Sequence, residues 1–108
     1  MEIKNLFSDI PDTFPKEVFD ILLHNKNLTL ERIVSSGQAS PEEEWYCQET
    51  NEWVILLGGS AGIMFESDTE ERVLYPGDYI FIPANTKHRI EWTDKKQKTV
   101  WLALHFMD

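Results

Sequence analysis

After residue 27 the chain consists of short stretches rich in apolar residues, which turn-forming residues interrupt at regular intervals, and the first of these stretches, residues 28–35, alternates between two faces. Alternation with a period of two is typical of β-strands, because successive side chains point to opposite faces of a sheet. Gly, Pro, Asn and Asp residues separate these stretches, and no helical pattern lies between them. We therefore predict an all-β sandwich or barrel whose strands cover residues 28–35, 52–57, 61–66, 72–75, 79–82, 88–93 and 99–106.

The N-terminal part of the chain follows a different pattern. Phe14, Val18 and Leu22 recur at four-residue intervals, which is the spacing of one face of a helix. This pattern predicts a short N-terminal helix over residues 15–23. We accordingly divide the chain into an N-terminal extension that contains the helix and a barrel domain, covering residues 1–27 and 28–108.

Charge and cysteine content narrow the class of protein. The 108 residues carry 19 acidic and 10 basic side chains, which gives a net charge of −9. A surface of that sign disfavours nucleic acid and anionic membranes as partners, and no apolar run is long enough to span a bilayer. The single cysteine, Cys47, excludes an intramolecular disulfide, and the first residues show no signal-peptide pattern. We expect a soluble, cytoplasmic protein.

The stretch that ends at His88 resembles the second sequence motif of the cupin superfamily. In that family the motif reads Gly, five residues, Pro, one residue, Gly, two residues, His, three residues, Asn. Gly77, Pro83 and His88 match it. Asn85 replaces the second glycine, and asparagine also tolerates a left-handed turn. Trp92 replaces the final asparagine, which is the larger departure.

Residues 37–59 resemble the first motif of the same family. That motif reads Gly, five residues, His, one residue, His, three or four residues, Glu, six residues, Gly. Glu52 and Gly59 match with the six-residue gap, and Gly37 lies at about the expected distance. The two histidines of the motif are absent from this chain. The resemblance is therefore closer for the fold than for the site.

Two registers are open for the missing histidines. With three residues before Glu52, the histidine positions fall on Tyr46 and Gln48; with four, they fall on Trp45 and Cys47. We favour the first register, because its residues share strand parity with Glu52 and carry oxygen donors. The second register offers one sulfur ligand and an indole that cannot bind a metal.

The resemblance implies a cupin jelly-roll β-barrel with a divalent transition metal in its interior. The implied ligands here are Gln48, Glu52 and His88, with Cys47 as an alternative ligand. Imidazole and carboxylate suit Zn, Fe, Ni or Mn, whereas a neutral amide is a weak ligand. Because two strong ligands are replaced, we expect any such metal to be weakly bound.

Four further residues are candidates for lining the pocket. Tyr46 is an interior hydrogen-bonding residue in the favoured register. Arg32 shares strand parity with apolar residues: pointing inward it would need Glu52 or a bound anion as partner, and pointing outward it is an ordinary surface arginine. Trp92 would narrow the cavity. The sequence leaves open whether His105 faces the pocket or solvent.

Three functions are compatible with these features. They are a metal-dependent enzyme acting on a small metabolite, a metal-free module that binds or senses a small molecule, and a structural domain; the fold alone does not decide between them. Residues 54–57 and 100–104 are apolar without alternation, which is typical of strands covered on both faces. We therefore expect a small-molecule ligand and a homodimer formed through an outer sheet face.

Overall fold

The computed structural model of the protein describes residues 1–41 and 43–107, and the regular structure in this part of the chain is entirely β. No helix is found among the described residues, and hence none that is long and apolar enough to cross a membrane. The seven strands predicted after residue 27 are confirmed, each to within one residue at either end. The strands are β1 (Val18–His24), β2 (Leu28–Ser35), β3 (Asn51–Gly58), β4 (Ala61–Phe65), β5 (Arg72–Leu74), β6 (Tyr79–Ile82), β7 (His88–Thr93) and β8 (Thr99–Phe106).

The strands form two antiparallel sheets, which confirms the all-β prediction. The larger sheet has five strands in the order β1-β2-β8-β3-β6, and the smaller has three in the order β5-β4-β7. Strands β4 and β5 pair antiparallel as a hairpin around residues 66–71. Because β8 lies between β2 and β3, strands that are far apart in sequence become neighbours in the larger sheet.

The hydrophobic core is built from the inward faces of both sheets. Leu56 of β3 and Ile63 of β4 are almost completely inaccessible to solvent, and Trp101 of β8 is 4% exposed. Burial of such side chains is the main favourable contribution to the free energy of folding. The core consists of Val54, Leu56, Ala61, Ile63, Phe65, Leu74, Ile82, Trp101 and Ala103.

The predicted helix over residues 15–23 is wrong, because residues 18–24 form β1, the edge strand that pairs antiparallel with β2. The apolar residues that suggested a helix are β-branched, aromatic or leucine, and such side chains also suit a sheet. Pairing places Asp20 directly opposite Arg32, and the two side chains form an ion pair of 2.6 Å. The extended conformation thus supplies a counter-ion to an arginine that is only 7% exposed.

Left-handed backbone conformations mark the turns that the sequence singled out. Gly77 has φ = 93°, and Asn85, which stands in a glycine position of the motif, has φ = 62°. Gly59 lies in the turn between β3 and β4 with φ = 81°, and it packs against the start of β8. A Cβ at Gly59 would lie 2.6 Å from the Cα of Thr99 and 2.8 Å from the carbonyl oxygen of Lys98. At this position glycine is therefore required for two reasons: φ is positive, and there is no room for a Cβ atom.

These differences predict a graded series of stabilities for three Gly→Ala variants. Gly58→Ala should change the free energy of unfolding by less than about 0.5 kcal/mol, because Gly58 has no positive φ and open space around it. Gly77→Ala should cost about 1 kcal/mol for the positive φ alone. Gly59→Ala should cost about 2–5 kcal/mol, because the steric overlap is added. Urea unfolding measures all three, and equal stabilities of the Gly59 and Gly77 variants would contradict this account.

Candidate functional site

Glu52 reaches the barrel interior because β3 alternates between the two faces of the five-stranded sheet. Glu52 and Leu56 are buried, whereas Trp53 and Ile55 are half-buried on the outer face. On the neighbouring strand β8, His105 is the antiparallel partner of Glu52. The carboxyl and the imidazole therefore leave adjacent strands side by side and point to the same interior.

His88 begins β7, and the turn before it determines where the imidazole lies. Asn85 takes the left-handed conformation, and its backbone N–H donates to the carbonyl of Gln48 over 2.7 Å. Two backbone hydrogen bonds of 2.8 and 3.0 Å then join His88 to Tyr46 as an isolated β-bridge. This pairing holds residues 46–48 against the turn and brings the ring of Tyr46 to 6.2 Å from that of His88, centroid to centroid.

The hydrogen bond of His88 defines its tautomer. Its Nδ1 lies 2.9 Å from the carbonyl oxygen of Thr86, and a carbonyl can only accept, so Nδ1 carries the proton. In the neutral ring, Nε2 then has a free lone pair. Nε2 lies 3.8 Å from Oε1 of Glu52, and both residues are less than 10% exposed. An acceptor nitrogen and a carboxyl therefore face each other inside the barrel.

His105 belongs to a second polar group beside this pair. Its Nδ1 lies 3.1 Å from Oε1 of Gln48, and its Nε2 lies 2.9 Å from Oε1 of Glu31. Either a protonated ring donates to both oxygens, or the amide of Gln48 is turned so that its NH2 group donates to Nδ1. In both cases the two ring nitrogens are engaged by protein groups.

The two polar groups lie in one cavity between the sheets, with a volume of about 140 Å³. Most of its wall is apolar, and the carboxyl, imidazole, amide and phenol groups supply the polar part. Clefts of this composition are typical of sites for small organic ligands. The cavity is lined by Glu17, Phe19, Glu31, Ile33, Tyr46, Gln48, Glu52, Val54, Ile63, Ile82, His88, Ile90, Trp101 and His105.

Burial raises the pKa of Glu52 above its ordinary value of 4.5, because the carboxylate loses hydration inside the barrel. The imidazoles of His105 and His88 act in the opposite direction, and the nearby carboxyl of Glu31 adds to the increase. Desolvation is the largest of these effects, so the net change is upward. A perturbed carboxyl in a cavity is a common property of functional sites.

Comparison with known families settles the fold. A family model described as the cupin domain matches residues 32–105. The chain belongs to the cupin-domain family. No curated protein sequence matches this cupin. The match starts inside β2 and ends inside β8, so it contains all the inward-facing residues of the two polar groups except Glu31.

Solved structures agree with this identification. This cupin superposes with a TM-score of 0.96 on a protein of Ralstonia eutropha JMP134 that is named provisionally as a mannose-6-phosphate isomerase, with 48% identity over 100% of both chains. A Thermus thermophilus protein is 20% identical over 98% of this chain and 97% of its own, with a TM-score of 0.76. The polyketide cyclase RemF of Streptomyces resistomycificus is 19% identical over 87% and 67%, with a TM-score of 0.73. The last two support the jelly-roll fold alone.

The structure brings five of the residues singled out from the sequence into one cavity. Tyr46, Gln48, Glu52, His88 and His105 all line it. The orientation of His105, left open by the sequence, is inward. Cys47 lies between two lining residues, is exposed and does not line the cavity, which agrees with the favoured register of the first motif.

Arg32, in contrast, lies outside the cavity, and its predicted place in the pocket needs correction. Its guanidinium donates to the carboxylate of Asp20 and to the backbone carbonyls of Leu6 and Ser8, at 2.9 and 2.6 Å. Arg32 therefore lies on the outer face of β2, covered by the N-terminal segment. Its burial reflects this cover and not an interior location.

Trp92 also lies outside the cavity, which corrects the second predicted pocket residue. The register of β7 against β4 shifts between Gly62 and Ile63, so strand parity counted from His88 does not hold as far as Trp92. The indole N–H instead donates to the carboxylate of Glu71 over 3.1 Å. The tryptophan thus packs over the three-stranded sheet and does not narrow the cavity.

Two cavity carboxylates, Glu17 and Glu31, were missed from the sequence. Glu31 accepts from the ring of His105, and Glu17 accepts a 2.5 Å hydrogen bond from the hydroxyl of Ser35. Glu31 and Arg32 are adjacent on β2, so their side chains point to opposite faces of the sheet. Placing Arg32 on the outer face would have placed Glu31 inside the barrel. Glu17 precedes β1, and with that segment interpreted as a helix no signal pointed to it.

The donor set of the cupin does not match a tightly held metal. Within residues 1–41 and 43–107, no group of three or more His, Cys, Asp or Glu side chains is arranged to hold an ion. Glu52 and His88 provide two strong donors, while His105 and Gln48 are hydrogen-bonded to each other. Two strong ligands are fewer than the three protein ligands of typical catalytic zinc sites.

The raised pKa of Glu52 predicts how a Glu52→Gln variant changes stability with pH. The folded protein holds the Glu52 proton more tightly than the unfolded chain, so ionisation lowers stability as pH rises through the folded-state pKa. Below pH 4.5 both states are protonated and this loss is absent. Glu52→Gln should therefore unfold at a higher temperature than the wild type at pH 7, and the gain should shrink towards pH 4.5.

Calorimetry at several pH values checks this prediction, with Glu70→Gln as the control. Glu70 is exposed, so its replacement should leave the unfolding temperature nearly unchanged throughout. A Glu52→Gln variant that is less stable than the wild type at pH 7 would show that the carboxylate is net stabilising and that its pKa is not raised.

Proposed function

We propose that this cupin binds a small organic molecule in the cavity and that Glu52 and His88 contact it directly, without a resident metal. The observation that carries the proposal is the pair itself: a buried carboxyl with a raised pKa lies 3.8 Å from Nε2 of His88, the ring nitrogen that is not hydrogen-bonded to Thr86. A carboxyl with a raised pKa keeps its proton to a higher pH and can then act as a proton donor, while a neutral imidazole can accept a proton. The pair suits a ligand that presents a hydrogen-bond donor beside an acceptor.

Proton transfer is the reaction class that the same pair supports if the protein is an enzyme. General acid–base catalysis needs both groups within reach of the reacting atoms, and both line this cavity. The name of the Ralstonia protein points to a sugar phosphate. None of the described residues that line this cavity is Lys or Arg, the side chains that most often bind phosphate. The cavity therefore suits proton transfer on a ligand that has no phosphate group.

A weakly bound divalent ion is the second candidate. Nε2 of His88 and Oε1 of Glu52 are close enough to share an ion after small adjustments, and Gln48 could add an amide oxygen if its bond to His105 opened. Zn, Fe, Ni or Mn would suit the imidazole and the carboxylate. Such an ion would supply Lewis-acid chemistry at this end of the cavity.

Ligand binding with and without metal separates the two candidates. Benzyl alcohol is a suitable probe, since an apolar cavity of about 150 Å³ in another protein binds benzene and the hydroxyl offers both donor and acceptor. In chelator-treated protein it should shift the amide NMR signals of cavity residues, and added Zn2+ or Mn2+ should change its Kd by less than about threefold. His88→Ala should weaken binding at least about tenfold, because a buried hydrogen-bond partner is lost.

His24→Ala is the matched control, because His24 is exposed at the end of β1 and should leave the Kd unchanged. Binding that appears only after metal is added would favour the metal-dependent candidate. Shifts confined to the outer sheet face, with none at the cavity, would refute the proposal.

We also propose that two copies of the cupin associate through the outer face of the five-stranded sheet. Apolar side chains occupy this face on three adjacent strands, and on the edge strand β6 they are half or more exposed. A continuous apolar face of one sheet can pair with the same face of a second copy around a two-fold axis. The face includes Trp53, Ile55, Tyr79, Phe81, Leu102, Leu104 and Phe106.

Light scattering on charge-insertion variants tests this assembly. The wild type should have the mass of a dimer at micromolar concentration. Phe81→Asp should raise the dimer Kd at least about tenfold, because it buries an unpaired carboxylate in the interface. Val73→Asp is the control, since Val73 is 40% exposed on β5 of the other sheet. A monomeric wild type, or equal dissociation of both variants, would refute the outer face as the interface.

A further inference from the structure

The groups around the cavity that can carry charge near neutral pH are carboxyl groups and imidazoles. Three carboxyl groups line it, those of Glu17, Glu31 and Glu52, together with the imidazoles of His88 and His105. No Lys or Arg occurs among the lining residues in the part of the chain that the structure describes. Among these lining residues only the two imidazoles can carry a positive charge, and the protein as a whole has a net charge of −9.

The arginines that lie next to cavity residues in sequence are bound elsewhere. Arg32, between two lining residues of β2, is held by Asp20 and the N-terminal carbonyls. Arg89 follows His88 on β7, where its guanidinium donates to Glu91 over 2.9 Å and lies 4.5 Å from the ring centroid of Trp45. Neither side chain is available to a ligand in the cavity without breaking these contacts.

The three carboxyl groups differ in how far they are already satisfied. Glu31 accepts from His105, and Glu17 accepts from Ser35. The contact of Glu52 with His88 is 3.8 Å, longer than a hydrogen bond. Glu52 is thus the cavity carboxylate with the most capacity for a new donor.

The rest of the wall is suited to a hydrocarbon body. Ile33, Val54, Ile63, Ile82 and Trp101 line it with apolar atoms. The cavity volume of about 140 Å³ is close to that of an apolar cavity, about 150 Å³ in another protein, that binds benzene. A ligand that fills this space has an apolar part of roughly one six-membered ring.

Resting on the proposed function, we propose that the ligand is a small organic cation, an amine on an apolar body of about one ring, whose ammonium group is bound by Glu52. The ammonium group supplies three donors and the charge that the cavity lacks, and the carboxylate accepts from it. A phosphate or carboxylate ligand would meet three carboxyl groups, with no Lys or Arg among the described lining residues to offset its charge, so the cavity disfavours such compounds.

A series of four probes that share one body and differ in charge tests the proposal. They are benzylamine, benzyl alcohol, benzoate and benzyl phosphate, titrated near neutral pH by calorimetry and NMR. Benzylamine should bind at least about tenfold more tightly than benzyl alcohol, and both anions should bind at least about tenfold more weakly than the alcohol. Shifts of cavity amides identify the site of binding.

The Glu52→Gln variant assigns the effect to one carboxylate. In this variant the ratio of the alcohol Kd to the amine Kd should fall to near one, whereas the exposed Glu70→Gln control should keep the wild-type ratio. An unchanged ratio in Glu52→Gln would refute Glu52 as the binding group. Tighter binding of either anion than of the amine would overturn the inference while the small-molecule site stands. If none of the four binds, the proposed function fails as well.

Discussion

The pairing of β3 with β8 is the constraint on which the site depends. Its register places Glu52 opposite His105, and the same strands supply Leu56 and Trp101 to the core. Because side chains alternate along a strand, a shift by one residue would turn the carboxyl and the imidazole to the outer face and the apolar outer residues inward. The apolar core therefore fixes the polar site, since any register that buries the correct apolar side chains also buries the carboxyl.

The features that the sequence predicted correctly depend on local patterns. Short apolar stretches and the turn residues between them located seven strands, and Gly77, Asn85 and His88 were identified by their spacing in the sequence. Parity with Glu52 also singled out Tyr46 and Gln48, and both line the cavity.

The features that the sequence missed depend on partners distant in the chain. Strand β1 is extended because β2 lies beside it, and nothing within residues 15–23 reveals that neighbour. The sequence left the face of Arg32 open and made it a pocket candidate, because it does not reveal that the N-terminal segment covers the outer side of β2. Residues on both faces of β2 are therefore buried, and alternation does not distinguish the two faces. The register shift between Gly62 and Ile63 likewise arises in the pairing of two strands that are distant in the chain, and it turns Trp92 away from the cavity.

The arrangement of strands also has a consequence for how the chain folds. Strand β2 lies between β1 and β8, so the five-stranded sheet is not complete until residues 18–106 have all been synthesised. Until then the apolar face of β2 and its backbone groups have only β1 as a partner, and an open strand edge of this kind attracts other chains. Sheets built from such distant pairings fold slowly compared with hairpins and helical bundles. The topology that assembles the cavity therefore leaves the nascent chain exposed to aggregation for longer than a locally connected fold would.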